Sequence, residues 1–224
     1  MKLTKNKKKQ IEGLDLDKSY PVLEAVKLLK EKKYVKFDES LEVCINTGID
    51  SKQSDQNVRG SFIPPHGLGK KVLIAVFAQG KAAEEAKAAG AKHVGGEDLV
   101  AILEKKIDVD VIVATPDMMS VVSKIAKILG PKGLMPNPKT GTVTNDVKST
   151  IENINKGLVA YKNDKAGTIH AALGKISFEE SQLTENVVSF LDEIKKIKPS
   201  GLKGNFVNSV YLSSSMGFGL RVEI

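Results

Sequence analysis

Tryptophan is absent from this 224-residue chain, cysteine occurs once, at Cys44, and only Arg59 and Arg221 among its 34 basic residues are arginines. One cysteine excludes an intrachain disulfide framework and any zinc site built on several cysteines. It suits a reducing, intracellular setting. The scarcity of arginine removes most of the planar forks that read guanine edges and phosphates. With aromatics at 5%, a base-stacking platform is poorly supplied. Long apolar runs are also missing. The longest, Val72 to Ala78, has the length of a strand and falls far short of the ~20 residues that cross a bilayer. The lysine-rich start is not followed by an apolar segment, so it does not read as a secretory signal.

What is present is a hydrophobic fraction of 41%, enough to bury a core, and a net charge of +7. Lys2, Lys5, Lys7, Lys8 and Lys9 carry much of that charge, so the body is close to neutral. The lysine run reads as a solvated tail, or as an arm that condenses on a nucleic-acid backbone with strong salt sensitivity.

Two grammars alternate along the chain. Pro21 to Lys33 has a helical apolar stripe, with Ser19 as candidate cap. Phe37 to Gly48 alternates Leu41, Val43 and Ile45 with Glu42, Cys44 and Asn46, a half-buried strand in which Cys44 reads as a small buried thiol. The middle changes style. Val72 to Ala78 reads as a strand covered on both faces, Lys81 to Ala89 as a helix ended by Gly90, and Leu99 to Lys105 as a second helix. Val111 to Ala114 follows as a strand and Met118 to Leu129 as a helix. This is a parallel α/β unit over about Leu68 to Lys156. The end reverts to strands at Thr168 to Ile176, Phe206 to Leu212 and Leu220 to Ile224, around a helix from Thr184 to Lys196 capped by Thr184. The economical arrangement is a discontinuous α+β domain made of both chain ends, with the α/β unit inserted. Two consecutive domains stay open.

Catalytic signatures are missing. No G-x-G-x-x-G follows the Val72 to Ala78 run. Gly90 to Gly95 has phosphate-loop spacing, but Gly96 and Glu97 stand where Lys and Ser/Thr are needed. His66, His93 and His170 lack metal-ligand spacing, and no G-x-S-x-G elbow occurs. A nucleotide-holding enzyme is therefore the weaker reading, and a free-standing RNA chaperone a third. Four segments stand out instead. Gly130 to Gly141, rich in proline and glycine, is a stiff cap over the α/β unit or a pre-shaped contact surface. Ser213 to Gly219 is a hairpin turn, or a place where hydroxyls and glycines let backbone approach ribose and phosphate. Lys36 to Ser40 enters a strand, with Phe37 a candidate core aromatic. Asn163 to Thr168 reads as a polar turn.

Those segments, with Ser54 to Gly60, Pro65 to Lys70, Ala91 to Gly96 and Ala114 to Asp117, occur in an order that closely resembles the bacterial-type ribosomal protein L-one family over almost the whole chain. The resemblance implies two domains of mixed class, α/β and α+β. A discontinuous α+β domain one (1–67 and 158–224) would carry an inserted, Rossmann-like three-layer α/β domain two (68–157). It implies a non-enzymatic constituent of the large ribosomal subunit with no cofactor and no metal. Such a protein would bind the large-subunit rRNA stalk beside the exit-site tRNA and assist release of deacylated tRNA. It would repress translation of its own operon mRNA through a mimic of the rRNA site. It would be cytoplasmic and ribosome-bound, monomeric when free, with no membrane partner. The implied RNA-binding residues are Lys36, Phe37, Ser40 and Glu42, then Asp164, Lys165, Thr168 and His170, then Ser209, Ser215, Met216 and Gly217. Domain two would add secondary contacts near tRNA. Where the family usually has threonines before Met-Gly and proline after, this chain has Ser213 to Ser215 and Phe218. The loss of the threonine methyls is expected to leave this turn less preorganised.

Overall fold

A computed structural model describes residues 8, 10–15, 18–105, 107–199, 201–202 and 204–223. Four lysines of the basic start, Lys2, Lys5, Lys7 and Lys9, lie outside the described residues, while Lys8 is exposed. The chain divides into two compact units, one of Met1–Gly69 with Val159–Ile224 and one of Lys70–Leu158.

The elements run in chain order β1 (Ser19–Tyr20), α1 (Val22–Glu31), β2 (Ser40–Thr47), β3 (Arg59–Phe62), β4 (Ile74–Phe77), α2 (Lys81–Ala88), β5 (His93–Gly95), α3 (Glu97–Lys105) and β6 (Val111–Ala114). They continue with α4 (Met119–Lys124), α5 (Ala126–Leu129), α6 (Val147–Asn155), β7 (Val159–Lys162), β8 (Thr168–Lys175), α7 (Glu180–Lys196), β9 (Val207–Ser214) and β10 (Gly219–Val222).

The unit built from both chain ends is centred on a five-stranded sheet ordered β1-β10-β9-β2-β8, antiparallel except for β1 against β10. Period-two alternation sends Leu41, Val43 and Ile45 of β2 to the core side. There they meet Ala25, Val26 and Leu29 of α1 and Leu183, Val187, Phe190 and Ile194 of α7. A ribbon of β3 and β7 joins this core, with the rings of Phe62 and Tyr161 set edge-on to Phe190 at 5.3 and 5.6 Å.

Both expected caps are corrected. Ser19 is drawn into β1, where it pairs with Arg221, and α1 begins after Pro21 with no side-chain cap. The long helix starts four residues before Thr184, where Gln182 Oε1 accepts from the Glu179 N–H at 3.3 Å. Thr184 is interior and donates its hydroxyl to Glu180 O at 2.7 Å. A reaching Gln at the third helical position gives a second way to satisfy an end that threonine was expected to satisfy alone.

In the Lys70–Leu158 unit, β5, β4 and β6 form a parallel sheet. Its strands are apolar throughout because both faces are covered. Leu99, Leu103, Val122 and Leu129 pack on Ala75, Phe77 and Ile112, whereas Ala86, Val147 and Ile151 pack on Ile74, Val76 and Val113. The single helix expected over Met118 to Leu129 is broken. A 3-10 turn at Pro116–Met118 precedes α4, and α5 begins after Ile125, whose N–H bonds Val122 O at 3.1 Å. The Gly130 to Gly141 segment is knitted in its second half. Asn137 O accepts from the hydroxyls of Thr140 and Thr142 at 3.0 and 3.2 Å, both threonines being buried, and Gly141 takes the left-handed φ of +70° that closes the turn. Pro131, Lys132 and Gly133 are exposed. Among the described residues no helix is long and apolar enough to cross a membrane.

Candidate nucleic-acid interface

The alternation that buries one face of β2 leaves the other face open. Glu42 and Asn46 are exposed and Cys44 is half-buried, so the buried-thiol reading of Cys44 is corrected. Burial, and secondarily the negative charge of Asp164, push its thiol pKa up. The register lines up neighbours across the strands. Glu42 stands between Ala172 and Ser213, and Asn46 between Thr168 and Ser209. Cys44 stands between His170 and Tyr211. From Ser40 to Asn46 the face is about 20 Å long at ~3.3 Å per residue.

At the Ser40 end the sequence Lys36 to Ser40 meets the β9–β10 turn. Glu39 is only 1% exposed, and its Oε1 accepts from Ser214 Oγ at 3.0 Å and from the Met216 N–H at 2.9 Å. The Ser40 N–H donates to Ser215 Oγ at 3.1 Å. Buried polar groups must be matched, so one carboxylate fixes both a side chain and a backbone group of this turn. Lys175 Nζ reaches Ser40 Oγ at 3.0 Å, and Asp38 accepts from the Ser177 hydroxyl at 2.8 Å. Two large apolar groups are held in the open beside these bonds: Phe37 is 53% exposed and Met216 46%. Phe37 is therefore not a core aromatic. Phe218 is buried at 5% and joins the core cluster. The serine hydroxyls at 214 and 215 are held by hydrogen bonds to Glu39 and from the Ser40 N–H.

At the other end, Asp164 Oδ1 accepts from the N–H groups of Ala166 and Thr168, both at 2.8 Å. The bond from Thr168 is the main reason its carboxyl pKa lies below the ordinary value. Gly167, at φ +80°, closes the turn where a Cβ would meet Ile49 O at 2.9 Å. Lys165 is exposed at the tip. Ten of the twelve expected residues thus fall into two end groups. Lys36, Phe37, Ser40, Ser215, Met216 and Gly217 form one, and Asp164, Lys165, Thr168 and Ser209 the other. Glu42 and His170 stand on the open face between them. Among the described residues no cluster of three or more His, Cys, Asp or Glu could hold a metal ion.

Residues 29–218 match the model of the "Ribosomal protein L1p/L10e family". The chain belongs to this family. It is 51% identical over 223 residues to "Large ribosomal subunit protein uL1" of Coxiella burnetii, covering 99% of this chain and 96% of that one. It is 50% identical to the proteins of that name from Proteus mirabilis, over 99% of this chain and 96% of that one, and from Thermosipho africanus, over 94% and 91%.

The RNA-binding set implied by the resemblance does not include three residues that the structure brings to or behind the open face. Glu39 is buried behind the surface and organises it. Tyr211, 38% exposed, and Arg221 lie on the open face. Counting by twos from Ser209 would have brought out Tyr211, whereas Arg221 needs the pairing of β9 with β10. The role of Glu39 in fastening this family turn is testable. Glu39→Ala leaves the Ser214 hydroxyl and Met216 N–H without their acceptor and is expected to cost on the order of 2 kcal/mol of stability. Glu39→Gln keeps the amide oxygen as acceptor and is expected to retain most of it, as read by urea unfolding. Equal losses in the two variants would show that the acceptor is not what matters.

Proposed function

We propose that this chain is a non-enzymatic, cofactor-free constituent of the large ribosomal subunit. Its unit from the two chain ends binds the rRNA stalk beside the exit site for deacylated tRNA. This unit corresponds to the family's RNA-binding domain one, and Lys70–Leu158 to its Rossmann-like inserted domain, which contacts tRNA secondarily. The chain assists release of deacylated tRNA at the stalk, and its rRNA-binding surface represses the chain's own operon messenger by binding a mimic of the rRNA site. The setting is the cytoplasm, on the ribosome, and the free protein is a monomer.

The relatives' shared name supports the large-subunit assignment. The observation that carries the RNA reading is the turn at Ser214 to Gly217. Its hydroxyls and backbone are locked by Glu39 and Ser40, with the apolar Phe37 and Met216 exposed alongside. Such a surface recognises a folded RNA through fixed hydrogen-bonding groups shielded by apolar neighbours, and needs few counterions released. The test is a filter-binding titration of the full chain against a synthetic stalk rRNA fragment and a scrambled control over a salt series. A preference of at least about 100-fold that persists as salt rises is expected. Equal affinity for both RNAs at moderate salt refutes the reading.

A further inference from the structure

The open face carries a second ordered feature beside its two end groups. Register pairs Cys44 with His170 on one side and Tyr211 on the other, Tyr211 with Arg221, and Arg221 with Ser19. These five residues form one row at right angles to the strands, crossing the whole sheet. At about 4.8 Å between strands the row is about 19 Å long.

Its composition differs from the rest of the surface. Tyr34, Phe37 and Tyr211 are the exposed aromatics among the described residues, and Tyr211 alone stands in the middle of a sheet face. Its neighbour Cys44 is small. Its hydroxyl has no hydrogen-bond partner among the described residues. Arg221 is exposed, with no ion pair or hydrogen bond of its side chain there, whereas Lys27, Lys70, Lys92 and Lys124 are each paired with a carboxylate. Glu42 and Glu223 stand two residues from Cys44 and Arg221, and the charge of Asp164 bears on the Cys44 and His170 end of the row, which leaves Tyr211 and Arg221 as the part suited to an anion. An uncommitted phenol ring beside an uncommitted guanidinium on a flat surface matches an unpaired nucleotide. The base stacks on the ring and its phosphate takes the fork of the guanidinium.

We propose that the row His170–Cys44–Tyr211–Arg221–Ser19 is a contact strip for a single-stranded stretch of the bound RNA, in which Tyr211 stacks an unpaired base and Arg221 holds the adjoining phosphate. This rests on the RNA-binding reading above and extends it from the two ends of the face to its middle and to β10.

The experiment titrates the full chain with the synthetic stalk rRNA fragment and a scrambled control. It compares wild type, Tyr211→Ser, Tyr211→Phe and Arg221→Ala, with thermal unfolding of each variant as a check on folding. Tyr211→Ser is expected to weaken binding about tenfold, and Tyr211→Phe to leave it within twofold, because the ring and not the hydroxyl stacks. Arg221→Ala is expected to flatten the slope of log affinity against log salt by about one phosphate's worth. A wild-type chain that prefers the stalk fragment while Tyr211→Ser binds it unchanged overturns the row and leaves the broader reading standing. A wild-type chain that does not prefer that fragment overturns both.

Discussion

Gly217→Val is expected to weaken binding to the stalk RNA fragment by roughly a hundredfold, about 3 kcal/mol. A Cβ at position 217 would lie 2.3 Å from Ser214 Oγ. That oxygen cannot swing aside freely, because it donates to the buried Glu39 carboxylate at 3.0 Å. The clash is resolved only by turning the Ser214 hydroxyl away or by moving the Met216–Gly217 backbone. The first leaves Glu39 short of a donor, at a cost of order 1–3 kcal/mol. The second displaces the backbone that the proposed interface uses. Valine adds two methyl groups on the surface where RNA would approach. Stability and affinity should therefore fall together, in contrast to a substitution that only blocks contact. A double variant separates the two causes. Adding Ser214→Ala to Gly217→Ala removes the clashing oxygen, and the pair should be less damaging than the sum of the singles, by an interaction energy of about 1 kcal/mol. Filter binding and urea unfolding read both quantities. Wild-type affinity in Gly217→Val would remove this turn from the interface.

The elements most legible in the sequence were those with a single strong period. Leu41, Val43 and Ile45 could only bury together on a strand, and β2 is where they place it. Ile74 to Phe77 is apolar without a break, and it is the central strand of its sheet, covered on both sides. The weak points were places where a partner far along the chain decides. Ser19 looks like a cap until Arg221 pairs with it. Arg59–Phe62 and Val159–Lys162 were not read as strands, since each is four residues long and exists only because the other lies beside it. At the candidate interface, the family resemblance supplied surface residues such as Lys36 and Met216. It did not supply what holds them. Glu39 reads in sequence as one more charge beside Asp38, and only the return of β9 past β2 shows that it is buried. Exposure of Phe37 has the same origin, because an aromatic entering a strand is a core residue unless the turn opposite leaves it uncovered.

The largest stability effect is expected for Phe190→Ala, at about 4 kcal/mol. Phe190 is 0% exposed and lies on the inner side of α7. Its ring meets Phe62 of β3 edge-on at 5.3 Å and 63° and Tyr161 of β7 at 5.6 Å and 84°. Truncation thus removes an entire buried ring and two aromatic pairs, each worth about 0.5–1.5 kcal/mol beyond area. The cavity would lie where the helix packs on the paired strands β3 and β7. Neighbours cannot close it cheaply, because Leu183, Val187 and Ile194 of the same helix are already buried against the sheet. Since domains are stable by only ~5–15 kcal/mol, the loss is a large share of the total. Phe190→Leu keeps much of the volume and should cost about half as much. Hydrogen exchange gives the local reading. Amides of β2, β8 and β9 should lose protection in Phe190→Ala, while those of β4, whose two faces belong to other core clusters, should keep theirs. If β4 loosens equally, the two units unfold as one, and the substitution weakens the Lys70–Leu158 core through the Pro64 to Gly69 and Gly157 connections instead of leaving it intact.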